Sequence, residues 1–119
     1  MRVTMIGAGY VGLVSGACFA DFGHQVTCVD KDGDKIASLR RGEIPIFEPG
    51  LDAVVAANVK AGRLDFATDL AAPVAEADAV LICVPTPLSA NREPDLGPLL
   101  GCAEELGRVV RAGQLIVLE

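Results

Sequence analysis

Four positions near the start of the chain have types and spacing suited to chemistry. In "IGAGYVG", Gly7, Gly9 and Gly12 follow the pattern G-x-G-x-x-G, and Asp30 closes the next apolar run, about one helix and one strand later. Each glycine has a physical task in such a loop. Gly7 permits a tight turn out of a strand, Gly9 lacks the Cβ that would hold a pyrophosphate off the backbone, and Gly12 lets a helix lie close to a sheet. Gly16, one turn on, extends that small face. A helix starting here offers free N–H groups and a partial positive charge to phosphate. A carboxylate at Asp30 accepts hydrogen bonds from both hydroxyls of an adenosine ribose and repels a 2′-phosphate, which points to NAD rather than NADP. Lys31 beside it is a cation of the kind a phosphate favours. The competing reading of the glycines is a plain strand-to-helix turn. A strand before the loop, a helix after it and an acid at the end of the second strand favour the dinucleotide.

The elements that must position these residues alternate. Arg2–Ile6 reads as a strand, 10–22 as a helix stopped by Gly23, and Gln25–Val29 as a second strand. On the first helix Val11, Val14, Cys18 and Phe22 share a stripe, expected to pack on the sheet. Asp34–Arg41 is a short helix with Ile36 and Leu39 inward. After the loop "GEIPIFEPG", a helix at about 50–60 places Leu51, Val54, Val55 and Asn58 on one side. Arg63–Phe66 is a third strand, followed by a helix capped by Thr68 or Asp69 and ending at Ala77. Ala79–Val84 is the most apolar run, as a central strand buried on both faces would be. Asp95 is placed to cap a last helix to about Val110, with Leu99, Ala103, Leu106 and Val110 aligned, and Leu115–Leu118 is a fifth strand. This alternation predicts an α/β fold, a Rossmann-type doubly wound parallel sheet of five strands in the order 3-2-1-4-5, forming one domain over 1–119.

Composition narrows the function. The chain has 119 residues and a formal net charge of −6, against a phosphate-backbone binder of nucleic acid. No apolar run reaches the roughly 18 residues of a membrane span, and no signal peptide is visible, so a cytoplasmic protein is expected. Cys18, Cys28, Cys83 and Cys102 form no CxxC and read as reduced packing thiols; with His24 the only histidine, a zinc site is not expected. His24 itself reads as a turn residue, and Asp32 and Asp34 as solvated turn acids.

Beyond the glycine loop, "MRVTMIGAGYVGLVSGACFADFGHQVTCVDKD", "GEIPIFEPGL" and "LICVPTP" are more specific. Together they resemble the NAD-binding N-terminal domain of the UDP-glucose/GDP-mannose dehydrogenase family, over essentially the whole chain. Residues 1–70 are most similar to the UDP-glucose branch and "LICVPTPLSANREPDL" to the UDP-N-acetylhexosamine branch. Natural drift, a chimera and a reconstructed sequence would each give that pattern.

The resemblance implies oxidation of a nucleotide-sugar C6 alcohol to a carboxylate with two NAD+. It assigns the pyrophosphate to Gly7, Gly9 and Gly12 with the N–H groups of Tyr10 and Val11, and the adenosine ribose to Asp30 and Lys35. It sets Thr86 of "VPTP" in the cofactor cleft. Glu48 and Arg92 are residues a nucleotide sugar would meet in a complete enzyme, though a loop residue and a surface arginine are the simpler readings. The family's nucleophilic cysteine sits in a "GGSCFPKD"-like motif beyond Glu119, with the sugar domain. The chain therefore reads as a truncated domain that binds NAD(H) and is catalytically silent, with a UDP-sugar as partner only in a full-length enzyme. An engineered module and a scaffold that no longer binds NAD are the rival readings. "GACFAD" echoes the catalytic motif, but without its lysine, and Cys18 is expected to be a packing residue. The fifth strand, an apolar edge, is expected to pair with a second copy through 114–118.

Overall fold

The computed structural model describes residues 1–44, 48–84 and 96–118. The strands are β1 (Arg2–Ile6), β2 (Gln25–Val29), β3 (Leu64–Ala67), β4 (Ala79–Ile82) and β5 (Leu115–Leu118). The helices are α1 (Tyr10–Asp21), α2 (Gly33–Arg40), α3 (Leu51–Lys60), α4 (Ala71–Glu76) and α5 (Gly97–Gly107). The sheet runs β3-β2-β1-β4-β5, and every pairing is parallel. This is the expected fold and strand order. Parallel neighbours require crossovers, and the helices that supply them cover the two faces.

One face carries α1, α2 and α3. Its core joins Met5, Leu13, Val26, Ile36, Leu51 and Phe66, among others. Asn58 is fully buried there with its polar atoms paired. Its amide donates to Asp21 Oδ1 (3.2 Å) and to the Val54 carbonyl (2.9 Å), and its oxygen accepts from Arg63 Nε (3.0 Å). The knot ties α3 to the end of α1 at no unsatisfied cost. The other face carries α4 and α5 over Ile6, Val29, Val80 and Ile82, a smaller core. Gln114 and Arg111 donate to the Val74, Ala75 and Ala77 carbonyls, closing the end of the short α4.

The face of α1 differs from the sequence expectation. Gly12, Leu13, Gly16, Ala17 and Ala20 are buried, while Val11, Cys18 and Phe22 are exposed, Phe22 to 79%. Steric fit decides this. A Cβ on Gly12 would stand 1.8 Å from the Gly7 carbonyl oxygen, and one on Gly16 would stand 2.8 Å from Cys28 Sγ. The glycine loop brings the helix backbone so close to β1 and β2 that only its small side fits, and the bulkier stripe turns outward. Cys18 is thus a surface thiol and not a helix-to-sheet contact. On α5 the inward residues are Cys102 and Leu106, with Leu99 half-buried and Ala103 exposed; the helix ends at Gly107, short of the expected Val110, which is exposed beyond it. Strand β3 starts one residue later than expected, at Leu64, although the Arg63 carbonyl already accepts from the Val26 N–H (2.8 Å); the Arg63 side chain donates to the Ala20 carbonyl (3.0 Å). Leu70 holds the position before α4, yet Asp69 Oδ1 does accept from the Ala71 N–H (3.2 Å). The expected Asp95 cap lies outside the described residues.

Candidate functional site

The glycine loop divides its labour. Gly7 has φ +104°, a conformation that side chains rarely adopt, and a Cβ there would meet the Cys83 carbonyl oxygen at 2.7 Å. Gly7 and Gly12 therefore allow close packing of the loop against β4 and of α1 against the loop. Gly9 is different: among the described residues nothing lies within 4 Å of where its Cβ would be. It precedes α1, whose start has no side-chain cap and no acidic residue in its first turn. The first N–H groups of a helix have no carbonyl partner within it, so among the described residues this corner presents uncapped donors. Tyr10 and Val11 stand in that first turn, both exposed.

Asp30 aims into the same corner. Its Oδ2 accepts from the Ala8 N–H (3.0 Å) and from Lys35 Nζ (3.2 Å), and its Oδ1 accepts from the Asp32 N–H (3.0 Å). Burial acts to raise its pKa, but the Asp32 and Ala8 N–H groups and the Lys35 ammonium together hold it below the ordinary aspartate value. The carboxylate is ionised and fixed in direction at the tip of β2. Lys35 reaches it from α2, whose start Asp32 caps by accepting from the N–H groups of Asp34 and Lys35 (3.1 Å each).

A cavity of about 290 Å³ opens beside this corner. Its floor is formed by Ile6, Gly7 and Val29, at the C-terminal ends of β1 and β2, and Asp30 reaches its rim. Pro98, Gly101 and Cys102 of α5 form the opposite wall. The chain leaves β1 toward β2 on one side and β4 toward β5 on the other, and doubly wound sheets take ligands at such a switch point.

The structure thus brings together Gly7, Gly9, Tyr10, Val11, Gly12, Asp30 and Lys35, while Thr86 lies outside the described residues, as does Arg92. Glu48 stands in the loop just before α3, where its carbonyl accepts from the Leu51 N–H (3.1 Å). Its carboxylate also accepts from the Tyr10 hydroxyl (2.8 Å), tying the glycine loop to the segment before α3. That bond holds the phenol in its protonated form and raises its pKa. Sequence reasoning did not find the α5 wall. Glu105 in particular, which pairs with Lys31, carries no local signal, being 74 residues from its partner. Cys28 is fully buried between α1 and the sheet, and burial pushes its thiol up to about 12, which leaves it protonated and inert.

An open glycine at an uncapped helix start, a carboxylate at the tip of the next strand and a crevice at the switch point define a Rossmann-type dinucleotide-binding domain. The comparisons are more specific. Residues 1–119 match the UDP-glucose/GDP-mannose dehydrogenase family, NAD binding domain, and the chain belongs to that family; its cofactor is NAD. It is 53% identical over 118 residues to the UDP-glucose 6-dehydrogenase of Rhizobium meliloti, which covers 98% of this chain and 27% of that protein. It is 41% identical over 117 residues to the UDP-N-acetyl-D-mannosamine dehydrogenase of Escherichia coli, covering 98% of this chain and 27% of that one. The crystal structure of a ternary complex of GDP-mannose dehydrogenase from Pseudomonas aeruginosa superimposes with a TM-score of 0.94 at 36% identity, over 99% of this chain and 28% of that one. The chain spans about a quarter of the length of these relatives. Among the described residues, no helix is long and apolar enough to cross a membrane.

Proposed function

We propose that this domain binds NAD(H) by its adenosine–pyrophosphate half. Gly7, Gly9 and Gly12, with the N–H groups of Tyr10 and Val11, hold the pyrophosphate. Asp30 and Lys35 hold the adenosine ribose, and Thr86 lines the cleft beyond β4. In a longer enzyme the domain serves the oxidation of a UDP-sugar C6 alcohol to a carboxylate in the cytoplasm, and the bound cofactor supplies the hydride acceptor. The domain's own residues orient that cofactor and set the local charge. By itself the chain binds cofactor and turns nothing over. The observation that carries the reading is the Asp30 carboxylate, fixed by the Ala8 N–H at 3.0 Å beside an open Gly9.

Calorimetric titration with NAD+ tests it. The chain binds NAD+, and Asp30→Arg weakens that binding by about tenfold or more, the scale of losing charge-assisted hydrogen bonds. A folded chain that takes up no NAD+ would mean a scaffold, and unchanged affinity in Asp30→Arg would remove the ribose assignment. The exposed apolar side chains of β5, Leu115, Ile116 and Leu118, further support pairing of two copies through 114–118. Light scattering at high concentration gives the dimer mass if so and the monomer mass if not.

A further inference from the structure

Two lysines stand near the ribose corner, and both are already engaged. Lys35 bonds Asp30 itself. Lys31, the next residue after Asp30, reaches the other way, across the mouth of the cavity, and its ammonium pairs with Glu105 on α5. Both members of this pair line the cavity. It therefore joins the two walls of the crevice, from the β2–α2 turn to the last turn of α5.

We propose that Glu105 is a specificity-determining residue: by holding Lys31 against α5, it denies a 2′-phosphate the one cation that adjoins Asp30 in the chain. This rests on the dinucleotide reading above. A site that accepts a 2′-phosphorylated ribose must offer it positive charge that is not already committed. Here the four charged groups cancel in pairs, and each lysine would have to leave a carboxylate to meet a phosphate. The Lys31 side chain is 72% exposed and that of Glu105 34%. An ion pair so open to water adds little to stability, so its effect lies in where the cation is held rather than in the strength of the fold. Glu105 also sets its own negative charge on the cavity wall, which opposes a phosphate directly. The two effects separate only when Lys31 is removed as well.

Calorimetry with NAD+ and NADP+ on the full chain tests this, reading the ratio of the two dissociation constants. Glu105→Gln is isosteric, keeps the half-buried site on α5 filled and frees Lys31. The NADP+/NAD+ ratio falls by about fivefold, as expected from releasing an exposed ion pair, with NAD+ affinity itself moving less than about twofold. Lys31→Ala alone leaves the ratio within about twofold, because the lysine was not available in the first place. In the double variant, Lys31→Ala with Glu105→Gln, most of the fall is reversed. An unchanged ratio in Glu105→Gln overturns the proposal. So does an equal fall with and without Lys31, which would assign the discrimination to the field of Glu105 alone. Absence of NAD+ binding in the folded parent chain would instead overturn the dinucleotide reading, and this one with it.

Discussion

The two faces of the sheet are built differently. The α1–α2–α3 face is packed to backbone contact: Met5, Leu13, Ala17, Val26 and Cys28 are fully buried, and Gly16 has no room for a methyl group. The α4–α5 face is thinner. Helix α4 has only 6 residues, α5 buries only Cys102 and Leu106, and β5 leaves Leu115 and Leu118 more than half exposed. The cavity lies on this thinner face. The contrast shows how one domain serves two demands. Dense packing on one side leaves the glycine loop and α1 no room for a Cβ at Gly7 or Gly12, and looser cover on the other leaves space for a ligand. A site needs both, since donors that are not held rigidly do not discriminate and a sheet covered densely on both sides has no crevice.

The largest break in that contrast should come from the glycine contact. Gly12→Ala forces a Cβ to 1.8 Å from the Gly7 carbonyl oxygen, and backbone must move on both sides. It is expected to cost about 3 kcal/mol by urea denaturation and to abolish NAD+ binding in whatever remains folded. Next come matched truncations on the two faces. Leu13→Ala should cost about 3 kcal/mol and Leu106→Ala about 2 kcal/mol, because the thinner face can relax into the space. Equal losses, or a larger loss at Leu106, would mean that the two faces pack alike.

The Asp30 corner should give a smaller, pH-dependent effect. Its folded pKa lies below the ordinary aspartate value, so the unfolded chain takes up the proton more readily. The resulting stability is present above the unfolded pKa and is lost as pH falls through the lower folded one. Urea midpoints compared at about pH 5 and about pH 3 should therefore fall less steeply in Asp30→Asn than in the parent. An identical slope would show that the carboxylate gains nothing from Ala8, Asp32 and Lys35. The smallest effect belongs to the edge. Ile116→Lys, at a side chain 43% exposed, should change monomer stability by no more than about 0.5 kcal/mol, whereas a core strand would not tolerate it.

Much of this was legible in one dimension. Strands β1, β2 and β5 fall where their β-branched runs are, and the strand order follows from the alternation of elements. The glycine loop and Asp30 were readable because their tasks are set by local backbone geometry and by fixed offsets along the chain. The face of α1 was not. The stripe expected to face inward, Val11, Val14, Cys18 and Phe22, is as periodic as the buried one and more hydrophobic, yet only Val14 of it touches the core. Periodicity reports that a helix has two sides without saying which side the neighbouring backbone can accommodate. The α5 wall was equally hidden, since Lys31 and Glu105 meet only because five strands are laid in order.

What the sequence determined by itself is the set of local conformations: where the chain extends, where it coils, and where only glycine fits. Those depend on each residue's own sterics and on hydrogen bonds to near neighbours. Tertiary structure alone decided which side of α1 meets the sheet, that Cys18 faces water and Cys28 does not, and which cation stands beside which carboxylate. Those outcomes depend on distances between segments far apart in the chain, and only packing fixes them.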